Sequence, residues 1–325
     1  MALKHTFVST RPEGSDASLV RTSNWNADHT IDNGGITIPF NSGTPASPPA
    51  DNVTIFCRES ANRAMPAFVG PSGLDSIIQP LFAKNKIAIW TPPGNATTAP
   101  GIFGMGALTV VSNAGTTLGT RNVATTNILT RMKRAAVLSE ANTGTLGSLR
   151  NPQAQYTTGD GAGLGGFYFV ARFATSDAST VTGARAFIGM SSATGAATNV
   201  QPSTLVNSIG VAQLSTDATQ WYIVYGGSAA QTAIALGTGL GAPTLTNTAF
   251  ELALFAPPSA NGVVHYEVTN IGSGVKVNGT LTPATPGIQT PASTTLLTNQ
   301  MWRTNNATGT QVGLDIISIY IETDQ

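Results

Sequence analysis

The chain has 325 residues, with sixteen Lys plus Arg set against sixteen Asp plus Glu and only 10% of residues charged. That length allows two compact domains and a connecting segment, while the absence of net charge argues against a partner held by its phosphate backbone or an anionic membrane surface. Cys57 is the only cysteine, which excludes an intrachain disulfide and a cysteine-based zinc site.

Soluble domains usually carry charge on roughly a quarter of their residues. Here Gly, Ala, Ser and Thr take that place, so the surface is expected to be neutral and hydroxylated. Such faces lose little solvation when buried and repel one another weakly, which points to a homo-oligomer.

Residues 1–38 read as an extended polar arm, centred on Ser23-Asn-Trp-Asn-Ala-Asp-His-Thr-Ile31. A polar arm with one Trp among hydrogen-bonding side chains orders by docking on a partner, the indole supplying most of the buried area. No apolar signal core opens the sequence, and no stretch approaches the ~20 apolar residues of a membrane span, so synthesis in the cytoplasm without membrane insertion is expected. Residues 39–52 hold four prolines among Gly, Ser and Ala and read as a linker.

From 53 to 155 the pattern predicts a small β-rich domain, with strands at Val53 to Cys57, Lys86 to Trp90, Ile102 to Val111 and Thr126 to Ser139. Cys57 falls in an apolar run and reads as a buried structural thiol. Two stretches, Ser72 to Ala83 and Asn127 to Glu140, also allow an amphipathic helix, and the first is favoured because Leu74, Ile77, Ile78, Leu81 and Phe82 recur at spacings of three and four.

Residues 156–325 predict a C-terminal antiparallel β-sandwich of jelly-roll or lectin-like type. Phe167 to Phe173, Ala186 to Met190, Trp221 to Tyr225, Phe250 to Phe255 and Gly313 to Glu322 are short alternating runs bracketed by turn residues, with no helical spacers. Val263–Val268 and Val275–Thr280 predict a hairpin. The fold class is therefore mainly β, with loops 191–207 and 226–248 as candidate contact surfaces.

No catalytic constellation emerges from the residue pattern, so an enzyme is not expected, and no cofactor or metal is implied. The three histidines lack metal-ligand spacing. His265 with Glu267 shares a strand face but reads as surface decoration. Gly159 to Gly166 is rich in glycine yet precedes a strand, where a phosphate-binding loop would follow one, so it reads as a turn. Asp177, Asp217, Glu251, Glu267 and Asp315 are scattered singly, although glycosidase carboxylates need only meet in space. Arg131-Met-Lys-Arg134 reads as a solvated or intersubunit face. Trp221, Tyr225 and Trp302 are the candidate receptor or glycan contacts, because sugar faces stack on rings, with core packing as the competing reading.

The segment Gly14 to Ile31, with its core Trp25-Asn-Ala-Asp-His29, resembles a segment near the start of tailed-bacteriophage tail-fibre and appendage proteins. Asn62 to Leu74, Arg121 to Asn127, Glu251 to Pro258 and Met301 to Asn306 are similar to phage appendage sequences as well. The resemblance implies a virion structural protein, commonly a trimer, attached to another virion protein through Trp25, Asn26, Asp28, His29 and Ile31. It further implies a role in host adhesion, with a cell-surface glycan or protein as partner. The alternative it leaves is a head fibre or capsid decoration protein; a polysaccharide depolymerase is the separate enzyme reading, which would need two carboxylates brought together at a groove.

Overall fold

The computed structural model describes residues 44–49, 52–70, 75–77, 86–93, 97–177, 180–243 and 248–323, with the short strands at 2–3, 29–30 and 40–41. The chain divides into two compact units, one of residues 1–59 and 64–78, the other of residues 60–63 and 79–325.

In the first unit β1 (Ala2–Leu3) pairs antiparallel with β2 (His29–Thr30). A four-stranded sheet follows in the order β3 (Phe40–Asn41), β4 (Thr54–Ser60), β5 (Arg63–Val69), β6 (Asp75–Ile77), with β3 parallel to β4. On β5 the buried Met65, Ala67 and Val69 alternate with exposed Ala64, Pro66 and Phe68, the period of two that a strand imposes. Phe56, Ala67 and Val69 form its apolar cluster, and Cys57 is buried. The helix expected over Ser72 to Ala83 is corrected here: Asp75–Ile77 is a strand paired with β5, Ala67 opposite Ile77, and the rest of that stretch lies outside the described residues.

The second unit is a two-sheet sandwich. Its strands are β7 (Lys86–Trp90), β8 (Thr109–Val111), β9 (Gly119–Arg121), β10 (Arg134–Leu138), β11 (Leu146–Arg150), β12 (Phe167–Thr175), β13 (Arg185–Ser191) and β14 (Ser208–Leu214). They continue with β15 (Asp217–Gly226), β16 (Ile234–Ala235), β17 (Phe250–Ala256), β18 (Val264–Asn270), β19 (Lys276–Leu281), β20 (Thr298–Thr304) and β21 (Gly313–Thr323). One sheet runs β19-β18-β17-β12-β21-β10-β9, with β7 also paired to β21; the other runs β16-β15-β14-β13-β20-β11-β8. The strand pairs within both sheets are antiparallel, and the hairpin predicted near 263–280 is β18 with β19.

The core lies between the sheets because each strand turns its alternate apolar residues inward. Phe167, Phe169, Ala171 and Phe173 of β12 meet Leu252, Leu254 and Phe250 of β17 and Ile188, Met190, Ile209 and Val211 of the opposite sheet. On β21 the inward residues are Leu314, Ile316, Ile319 and Ile321, and their phase shifts by one between 316 and 319. A register shift opposite Arg172 and Phe173 accounts for it, since one extra residue flips the alternation. The two sheets approach closely where β10 crosses β11: a Cβ on Gly147 would stand 2.6 Å from the Leu138 nitrogen, so only glycine fits.

These pairings correct two expectations. The boundary placed at 155/156 is absent, because β9 and β10 hydrogen-bond into the sheet of β21, and β11 and β8 into the sheet of β20. Residues 86–150 thus supply strands to the same sandwich, while of the arm at 1–38 only residues 2–3 and 29–30 are described, and of the linker at 39–52 residues 40–41, 44–49 and 52. The short helix is the other candidate: α1 (Ile128–Arg131) starts at Asn127, whose side chain accepts from Thr130 N while the Thr130 hydroxyl accepts from Asn127 N, a capping box. Arg134 onward is strand β10.

Among the described residues Arg303 of β20 is the one cation in the group of largest fully buried side chains. Its Nε donates to Asp177 Oδ1 at 3.1 Å, its second nitrogen bonds the other carboxylate oxygen, and its third donates to Gln213 Oε1 at 2.6 Å. Asp177 Oδ1 also accepts from Gly313 N at 2.9 Å. Removing one member of such a pair leaves a buried charge uncompensated, whereas removing both does not. Arg303→Met is therefore expected to lower unfolding stability by about 3–5 kcal/mol. Adding Asp177→Asn to Arg303→Met should recover part of that loss, as read by urea denaturation; equal loss in both variants would refute the charge account.

Candidate functional site

The virion-attachment candidates Trp25, Asn26, Asp28 and Ile31 lie outside the described residues, and His29 is described only as backbone of β2, opposite Leu3. The three aromatic candidates are placed. Trp221 points into the sandwich, edge-on to Phe173 at 5.4 Å and Phe250 at 5.5 Å between ring centroids. Trp302 faces outward from its sheet but is covered, forming a cluster with Phe187, Leu214 and Val224 under Ala197, Val200 and Leu205. Neither indole exposes a face to a sugar, which corrects their reading as stacking surfaces. Tyr225 is half-buried against the core.

The same cluster shows that loop 191–207 is a lid over its own sheet. Arg150 Nε donates to Thr194 O at 3.0 Å, Arg185 donates to Asn199 Oδ1 at 3.0 Å, and Ser215 N donates to Gln201 Oε1 at 3.2 Å. In loop 226–248, strand β16 and the short 3-10 turn Thr238–Leu240 lie beside β15, and residues 244–247 fall outside the described ones.

The polar cavity of the sandwich is built on the outer face of the first sheet. Arg134 and Arg121 stand directly opposite one another on β10 and β9, so their side chains share a face. Asp315 of β21, opposite Ala136, points the same way between them. Arg121 Nε donates to Asp315 Oδ1 at 3.2 Å, and Arg134 Nε donates to Oδ2 at 2.9 Å. Arg121 also donates to Ser176 Oγ at 3.2 Å. Helix α1 closes one side, held down by Leu129 against Ala174, Ala249 and Ile317, and Arg134 donates to the carbonyls at its end, Leu129 O, Thr130 O and Met132 O. The resulting cavity has a volume of about 220 Å³.

A second cluster occupies the same sheet nearer β17. Arg63 lies over the Tyr168 ring at 4.8 Å and the Phe255 ring at 5.5 Å, and bonds the Glu322 carboxylate, which also accepts from the Tyr320 hydroxyl. Ser60 Oγ and the Tyr168 hydroxyl are 2.7 Å apart. Burial pushes the Tyr168 phenol up to about 12, and burial, reinforced by the Glu322 carboxylate, raises Tyr320 further. Burial also takes Tyr156 to about 12.

The remaining carboxylates singled out from the sequence each have a partner. Glu251 bonds Arg172 at 2.5 Å and Glu267 bonds Lys276 at 3.1 Å. Asp217, which accepts from Thr219, Tyr222 and Gln220, is held far below the usual carboxylate range by those bonds. His265 Nδ1 lies 2.9 Å from Thr280 Oγ1, with its ring stacked on Phe255. In the glycine turn Asp160 Oδ1 accepts from Ala162 N at 2.7 Å and Leu164 N at 3.1 Å, which lowers its pKa and closes the turn locally. Among the described residues no group of three His, Cys, Asp or Glu converges on a point, and no helix is long and apolar enough to cross a membrane.

The cavity was not anticipated from the sequence. Arg131 to Arg134 and Asp315 were visible as isolated charges, and the signal that could have joined them was outward phase on neighbouring strands, which needs the pairing of β10 with β21 to be known.

No protein-family model matches the chain, and no curated protein matches it. Among solved structures the sandwich is similar to peanut lectin bound to a nine-residue peptide, at 8% identity over 74% of this chain and 98% of that one, with a TM-score of 0.48. Arcelin-5, a lectin-like defence protein of Phaseolus vulgaris, is similar at 10% identity over 74% and 99%, TM-score 0.42. The CBM2 module of an evolved Dit protein from Lactobacillus casei BL23 phage J-1 is similar at 13% identity over 66% and 95%, TM-score 0.38. The fold defines the class, a mainly β, antiparallel two-sheet sandwich.

Two measurements follow. Trp221→Ala and Trp302→Ala should each cost about 3–5 kcal/mol of stability, the range for emptying a buried aromatic site, as read by denaturant unfolding; a loss below 1 kcal/mol in either would contradict its burial. Tyrosines unfold to a pKa of about 10, below the value of about 12 that burial gives Tyr168 and Tyr156. Burial of the neutral phenols thus stabilises the fold fully below pH about 10, and that contribution is lost as pH rises toward 12. The melting temperature should fall across this window and fall less in Tyr168→Phe; identical profiles would refute it.

Proposed function

We propose that this chain is a non-enzymatic structural component of a bacteriophage particle, a tail fibre or appendage subunit that attaches by its N-terminal segment and contributes to adhesion at the host surface. The observation that carries this reading is a division along the chain. Residues 86–323 build a two-sheet sandwich, whereas the segment around Trp25, Asn26, Asp28, His29 and Ile31 has the composition of an arm that gains its order from a partner.

Three further features support it. The low charge, 10% of residues, suits packing among copies of the chain, and a trimer fits that requirement. Asp177, Asp217, Asp315 and Glu322 are committed to ion pairs and turns, which leaves the sandwich better suited to binding than to hydrolysis. The glycan or protein partner would be met by loops and outer sheet faces, where a rigid scaffold presents variable side chains.

Cryo-electron microscopy of the purified particle tests the proposal. Density for the chain with residues 1–38 docked on the tail is the expected result; docking on the capsid shell would make it a head fibre or decoration protein, and absence from the particle would overturn the structural role. Release of reducing ends from host polysaccharide by the purified chain would overturn the non-enzymatic reading in favour of a depolymerase.

A further inference from the structure

The cavity beneath α1 departs from the charge balance of the rest of the molecule. Residues 113–139 contain Arg121, Arg131, Lys133 and Arg134, a quarter of the sixteen basic residues, and no acidic one. Arg131 and Lys133 are exposed, and the Arg121 side chain is 29% exposed, so three of the four are open to solvent. The anions at the cavity are Asp315 and Asp177, and Asp177 is already neutralised by Arg303. One carboxylate therefore serves two guanidinium groups that face each other across a strand ladder, an arrangement that is repulsive unless further negative charge is supplied.

From this geometry we infer that the cavity is a binding site for an anionic sugar unit, whose carboxylate or phosphate group is received by Arg121 and whose hydroxyls meet Ser176. Guanidinium groups bind planar oxyanions through paired hydrogen bonds, and Arg121 is held by Asp315 and Ser176 in a fixed orientation. Arg134 acts as a positioning residue: it ties the end of α1 to the sheet through three carbonyls and keeps the cavity open beneath the helix. The volume of about 220 Å³ is well above the ~10–15 Å³ that a single water needs, which leaves room for one acidic sugar unit. Arg131 and Lys133, exposed and adjacent in sequence to the lining residues Thr130 and Arg134, would draw the anion in over a distance set by ionic strength.

The sugar part of this inference rests on the adhesive reading above; the anion part rests on the cavity alone. Titration calorimetry on the full chain with glucuronate, glucose 6-phosphate, glucose and inorganic phosphate separates the two. Saturable binding of glucuronate or glucose 6-phosphate, weakened at least about tenfold in Arg121→Gln and by added salt, is expected, with glucose silent. The better of the two acids identifies the source as a uronic-type or a phosphorylated polymer. If Arg121→Gln does not fold, Arg131→Gln with Lys133→Gln, both exposed, should still weaken binding several-fold. Absence of binding by every anionic probe at about 10 mM, or unchanged affinity in these variants, would overturn the site. Inorganic phosphate binding as tightly as glucose 6-phosphate would overturn the sugar assignment. Cell binding by the chain that survives Arg121→Gln would overturn the site as the adhesive contact and leave the appendage reading standing.

Discussion

The sandwich is registered against its strand β21. Along one edge β21 pairs with β12 for most of its length; along the other its first half pairs with β10 and its second half with β7. Leu314, Ile316, Ile319 and Ile321 carry the core side of that strand, and Asp315 and Glu322 carry its outer side, so the same eleven residues define the hydrophobic interior, the cavity under α1 and the Arg63 cluster. The bulge opposite Arg172 and Phe173 lets both ends of the strand keep apolar residues inward while two acids stay outward.

With so few charges, most of those described are deployed in pairs. Arg303 with Asp177 lies in the interior, where an unpaired charge would be costly, and on the outer face Arg63 pairs with the buried Glu322 while Arg172 with Glu251 and Lys276 with Glu267 join neighbouring strands. The Arg121, Arg134 and Asp315 group is the exception, two cations on one anion, and it is found where the sheet surface opens into a cavity.

Much of the fold was legible in the residue pattern. Period-two runs such as Phe167 to Phe173 and Phe250 to Phe255 located β12 and β17, and the turn Thr269 to Gly274 anticipated the β18–β19 hairpin. That the sandwich runs across 155/156 is not legible in local pattern, which carries no information on pairing at long range: β10 meets β21 about 180 residues later. The same limit hid the cavity, whose parts come from β9, β10, β12, β21 and α1. Composition is also ambiguous for aromatics, since Trp221 and Trp302 look the same in a strand whether the ring faces a sugar or a core, and burial decided for the core.

The order of strands along the chain has a consequence for biosynthesis. The strand that fills the gap between β12 and β10 is the furthest downstream of those described, so a ribosome exposes both flanking edges long before their partner emerges. Contacts of such wide sequence separation make closure slow, and open edges invite pairing with other nascent copies. A polypeptide terminated before residue 313 would lack the strand joining β12 to β10 and β7 and present their unsatisfied ladders, so translation through to the end of β21 is what lets this sheet close.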